Sequence, residues 1–273
     1  MKVTYTAAAT LIVMLFLLCS SSLFSEERPA ILNTVVLEDF DKDPLSRWIA
    51  RGSKFTTRIY DANNKVVGIY PKVAEVATFP TSLFGFKGAK TANGDDRKVL
   101  GIMGKFDRNG YNYIEVLPVR EADSNTDPSD VIYEDINTSK KWVHNPIQVP
   151  GRVEFFDVWV WGANYDYYLD AHFRDYRGIP HTFKMGDLKY AGWRNLRIVI
   201  PKSIPQAEPY IPKIKPLELT KFVLWTRPNE RVSGFYLYLD QVKVLTDVYV
   251  DRFDGDDLAD VDLTEKVWGS NSE

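Results

Sequence analysis

Residues 151–201 constrain this chain most. They read GRVEFFDVWVWGANYDYYLDAHFRDYRGIPHTFKMGDLKYAGWRNLRIVIP. Strand side chains alternate between faces, so residues 153–161 split by parity. Val153, Phe155, Asp157, Trp159 and Trp161 share one side; Glu154, Phe156, Val158 and Val160 share the other. After the turn signal Gly162-Ala163-Asn164, Tyr165, Tyr167, Leu169, Ala171 and Phe173 fall opposite Asp166, Tyr168, Asp170, His172 and Arg174. A further turn at 175–178 and Gly192-Trp193 lead into a last apolar run that Pro201 ends, having no N–H for a ladder. The stretch reads as an antiparallel meander with two apolar faces. One packs a core; the other must meet a second layer or a partner.

The remaining chain supports an all-β reading. Hairpin signals occur at 61–64 and at 107–110, the latter between strands over 99–106 and 111–117. Residues 80–97 and 120–150 read as surface loops. Five prolines in 201–216 suit an extended crossover and exclude a helix. Runs at 219–226 and 234–244 close the sheet pair. Short strands with long crossovers predict a β-sandwich of jelly-roll type over residues 33–247.

Both ends differ from this domain. Residues 1–25 have a secretory signal's pattern: Lys2, an apolar run over 7–18 broken by Thr10, then small residues. The run is shorter than the roughly 20 residues a spanning helix needs, so export without membrane insertion is expected. Cys19, the single cysteine, lies inside this segment, so the exported chain has no disulfide, thiol nucleophile or cysteine-bound zinc. Residues 248–273 form an acidic tail. Its Phe253-Asp254-Gly255-Asp256-Asp257-Leu258 echoes Phe40-Asp41-Lys42-Asp43-Pro44-Leu45, which raises the idea that it pairs with a sheet edge of a neighbouring copy.

Chemistry is sparse. The net charge of −3 gives no basic field for nucleic acid. The histidines, His144, His172 and His181, have no metal-ligand spacing, and no phosphate loop or nucleophile elbow occurs. Glu154 and Asp157 face opposite ways; only Asp157 and Asp170, on neighbouring strands, invite a carboxylate pair. The expectation is a protein without enzymatic activity. Asp39, Asp41 and Asp240 would hold a structural calcium if the first and last strands adjoin; no other cofactor is expected. Trp159, Trp161, Tyr165, Tyr167, Trp193 and Trp225 suit core filling or a protein interface better than sugar stacking, because they alternate with aliphatics.

Taken together, residues 158–164, 173–178, 185–196 and 200–201 carry the pattern VWVxG-N, D-RG, GxLxxxGWxNL, IP. That pattern, with the early EDFD and the closing YLYLDQVKV, resembles the flagellar filament outer-layer (sheath) protein A family of spirochaetes over about residues 33–247. The resemblance implies a fold like carbohydrate-binding jelly rolls and a periplasmic location. It also implies a structural role: coating core flagellin beside other sheath proteins and contributing to filament shape, stiffness and motility. Tyr168, Tyr176, Tyr190 and Trp268 are the expected outward or loop aromatics for partner contact, and self-association is part of this reading. The alternative is a secreted carbohydrate-binding module, which needs a groove of exposed rings with convergent polar groups.

Overall fold

The computed structural model describes residues 32–85, 88–135, 139–206 and 216–247, together with Gly269. In chain order the strands are β1 (Leu32–Glu38), β2 (Trp48–Gly52), β3 (Arg58–Tyr60), β4 (Val66–Ile69), β5 (Lys72–Val76), β6 (Val99–Gly104), β7 (Tyr113–Glu121) and β8 (Val131–Glu134). They continue with β9 (Lys141–His144), β10 (Ile147–Val149), β11 (Arg152–Ala163), β12 (Tyr167–Arg174), β13 (Pro180–Asp187), β14 (Ala191–Val199), β15 (Leu217–Thr226) and β16 (Phe235–Asp247). The longest α-helix among the described residues is one turn, Thr81–Phe84. No described helix is long and apolar enough to cross a membrane.

Two antiparallel sheets form the sandwich. The first has six strands in the order β14-β11-β16-β6-β5, with β1 also on β16. The second has eight, in the order β13-β12-β15-β7-β9-β8, with β10 on β15 and β2 on β7. Between them lies one core built from inward-facing Phe156, Val158 and Val160 of β11, Leu169, Ala171 and Phe173 of β12, Phe222 and Leu224 of β15, and Leu237, Leu239 and Val242 of β16. Phe156 meets Phe173 edge to face at 4.9 Å and Phe222 at 6.0 Å, joining the sheets through rings. The all-β sandwich expected from the strand pattern is the observed architecture.

Connectivity departs from the expectation in three places. Residues 151–201 are not a meander: β11 pairs with β14 in one sheet and β12 with β13 in the other, so the chain crosses the sandwich twice. The 107–110 turn likewise joins β6 of the first sheet to β7 of the second and closes no hairpin. Turn residues specify a change of direction; which sheet receives the next strand is set by burial on both faces. Thirdly, residues 120–150 are more than a loop. Strands β8 and β9 extend the second sheet, and Trp142 joins Ile49, Leu117 and Val119 in a separate small core.

One parity assignment also slips. Val153 is buried in the core with Phe156, Val158 and Val160, although the alternation put it with Phe155. The ladder of β11 against β16 shifts between Val153 and Phe155. Such a bulge inserts one residue and flips every side chain beyond it.

Candidate partner-binding face

With the aliphatic side of β11 in the core, its aromatic side points away from it. The register carries this outward side across the sheet. Trp193 of β14 stands opposite Trp161 of β11, which stands opposite Tyr238 of β16, which stands opposite Gly101 of β6. Trp161 and Tyr238 meet nearly perpendicular at 5.3 Å. Tyr238 lies down on Gly101: a Cβ there would meet the ring at 3.1 Å. The next row is Asn195, Trp159 and Asp240. Beyond a charged row comes Val199, Phe155, Leu245 and Thr34. Tyr236 is 50% exposed, Val36 48% and Val199 62%. No described layer of the protein covers this face. The Trp159 indole N–H is buried and has no acceptor among the described residues.

The charged row is centred on one carboxylate. Asp157 is buried and accepts from Asn195 Nδ2 at 2.7 Å. Arg197 lies 3.6 Å and Lys243 3.9 Å from the same carboxylate. Two cations around one anion leave this centre with a small positive surplus.

The second sheet treats its outer side differently. Tyr168, Trp225 and Tyr113 stand in one row on β12, β15 and β7. Tyr168 and Trp225 are stacked at 6.3 Å and 13°, and Trp225 and Tyr113 are 5.3 Å apart. Lys184 and Arg227 each sit 5.3 Å from the Tyr168 ring centre. These ring faces are occupied by one another and by cations, so they offer no open platform. Nearby, Glu115 is clamped by Arg51 at 2.7 Å and by Lys221. Burial pushes its carboxyl up, but the two cations outweigh that and hold it below the usual range.

The four aromatics expected at a partner contact fare unequally. Tyr168 faces outward, half-buried in the row just described, where burial raises its phenol. Tyr176 is half-buried in its turn, its hydroxyl 3.1 Å from Arg177 Nε. Tyr190 is a correction: it is 5% exposed and belongs to the core. It tucks against Gly162, where a Cβ would come within 2.7 Å of the Tyr190 carbonyl, and its hydroxyl donates to the Val160 carbonyl at 3.2 Å. Burial pushes that hydroxyl up to about 12. Trp268 lies outside the described residues. What sequence reasoning missed is Trp159, Trp161 and Trp193 as outward rings; their alternation with valine was legible, but not its direction.

The acidic triad is partly assembled. Asp240 is 2% exposed, at a bulge where Gln241 adopts φ 49° and donates its N–H to the Asp240 carboxylate at 2.8 Å. Burial, with Asp41 and Asp39 close by, pushes Asp240 up to about 8, against the opposing pull of the Gln241 N–H and Arg97. Asp41 is engaged by Arg97 at 3.1 Å and by the Lys98 N–H at 2.9 Å. Among the described residues no three acids, histidines or cysteines are grouped as a metal-ligand set. Arg97 is the cation at this place. Asp157 and Asp170 form no pair: they lie on opposite sheets and face away from the shared core.

A family model for the flagellar filament outer layer protein FlaA matches residues 32–254, the whole sandwich. The chain belongs to this family. A curated relative, a putative flagellar filament outer layer-like protein of Brachyspira hyodysenteriae, is 23% identical over 163 residues. That match spans 60% of this chain and 64% of the relative's length. Among solved structures, carbohydrate-binding modules of the β-sandwich superfamily align over 77% of this chain and 60% of theirs, at 9% identity and a TM-score of 0.40. TmCBM61 in complex with β-1,4-galactotriose aligns over 77% and 99%, at 12% identity and a TM-score of 0.36. At such scores the likeness carries nothing about ligands; the sandwich assignment rests on this chain's own sheets.

Proposed function

We propose that this FlaA-family chain is exported by its first 25 residues and serves as a coat subunit of the periplasmic flagellar filament. In this reading it sits on the flagellin core beside other outer-layer proteins and adds to filament stiffness and shape. It works by lateral association and carries no catalytic chemistry. The observation that supports this most is the outer side of the first sheet, where Trp159, Trp161, Trp193 and Tyr238 stand side by side with no covering layer among the described residues. Large aromatic side chains on an uncovered face are the usual anchors of a protein contact. The Asp157 row supplies polar positioning within that face. The test is fractionation: flagella are purified intact from the periplasm and the chain is quantified by mass spectrometry against whole periplasm. Strong enrichment beside flagellin is expected. An even, soluble distribution would overturn the proposal.

A further inference from the structure

Strand β14 ends the first sheet. It pairs with β11 along residues 191–199, and its other edge meets no strand among the described residues. Such an edge presents a ladder of free N–H and C=O groups and is open to a foreign strand unless it is guarded. The guards here are cations. Arg194 is exposed, stacks 4.4 Å over the Tyr190 ring and has no acidic partner among the described residues. Arg197 is exposed and reaches Asp157 at 3.6 Å. Leu196 and Ile198, on the strand's other side, pack against the margin of the core and are only half-buried. This edge repels a basic strand and admits an acidic one with an apolar side.

The chain itself contains such a segment. Residues 248–273 hold eight acidic and two basic side chains, a net of −6, against −3 for the whole chain. Within them, residues 258–264 alternate as a half-covered strand does. Ala259, Val261 and Leu263 share one parity; Leu258, Asp260, Asp262 and Thr264 share the other. We propose that residues 258–264 of one copy add as a strand to the free β14 edge of a neighbouring copy. Val261 and Leu263 then cover Leu196 and Ile198, while Asp260 and Asp262 lie on the Arg197 side. Strand β16 ends at Asp247, and the ten residues between it and position 258, about 33 Å if extended, give the reach to a neighbour. Assigning the edge to a neighbour rests on the coat reading. Tail and edge are different surfaces, so their contact is heterologous and propagates along a filament without closing on itself.

The experiment uses the full-length chain as recovered from cells and reads mass against concentration by sedimentation. Three forms are compared: the natural chain, an edge variant (R197E) and a tail variant (D260K/D262K), with thermal melts to show that each is folded. The natural chain is expected to grow beyond a monomer with rising concentration. Each variant alone is expected to associate several-fold more weakly, since the charges that face each other on the Arg197 side are made alike. Mixing the two variants is expected to restore association, because an acidic tail again finds a basic edge and a basic tail an acidic one. A natural chain that stays monomeric throughout, or association indifferent to both variants, overturns the proposal. Because this assay contains no flagella, a chain enriched on filaments yet monomeric here would remove the tail contact and leave the coat reading standing.

Discussion

The two outer faces of the sandwich start from the same problem and resolve it differently. Each sheet turns one side to the shared core and has apolar residues left on the other. The second sheet covers its surplus from within: the β8–β9 hairpin folds Trp142 over Ile49, Leu117 and Val119, and the Tyr168–Trp225–Tyr113 row closes on itself under Lys184 and Arg227. Among the described residues the first sheet gains no such cover, and its tryptophans stay half-buried on the outer side. An apolar face without a layer of its own is the part of a sheet protein that calls for a partner.

The sharpest way to break this comparison is to truncate one tryptophan on each face. Trp142→Ala removes a ring that is 5% exposed and should cost about 3–5 kcal/mol in chemical denaturation. Trp161→Ala, on the open face, should cost clearly less in stability and instead lower retention on purified filaments about tenfold or more. If W161A proved the more destabilising and retention were unchanged, the faces would be wrongly assigned.

Two buried carboxylates sharpen the contrast through pH. Asp240, on the first sheet, is held above its unfolded range, so its ionisation opposes folding. Stability should therefore fall as pH rises from about 4 to about 8, by at most about 1.4 kcal/mol per unit. Asp240→Asn should flatten that slope in melts taken across the range. Millimolar calcium should leave the melting temperature unmoved; a rise of several degrees that D240N abolishes would instead reinstate Asp39, Asp41 and Asp240 as ligands. Glu115, on the second sheet, has the opposite sign. Arg51 and Lys221 hold it below its unfolded range, so its contribution is full above about pH 4.5 and is lost below. Glu115→Gln should cost about 1–2 kcal/mol at neutral pH and little in acid. The smallest expected effect is Tyr236→Ser: the side chain is half exposed, so stability should change by about 0.5 kcal/mol or less while filament retention drops. Loss of stability without loss of retention would place Tyr236 outside the contact.

The alternation at residues 165–174 was readable because one parity is apolar and the other polar; Tyr167, Leu169, Ala171 and Phe173 are in the core as that pattern requires. The strand at 153–161 resisted because both parities are apolar, and a bulge at Glu154 shifts the count. Tyr190 looked like a loop residue because nothing local shows that Gly162, 28 positions earlier, leaves the space it fills.

By itself, then, the sequence determined that the chain is all-β, where most of its long strands lie and where it turns. Those properties follow from local backbone preferences and two-residue periodicity, which act between near neighbours. Only the tertiary structure decided which sheet each strand joins, that the tryptophan side of β11 faces out, and that Asp240 sits near Asp39, Asp41 and Arg97. These depend on registers between residues far apart in the chain. They are fixed by burying the most apolar surface at once, and no single stretch encodes that.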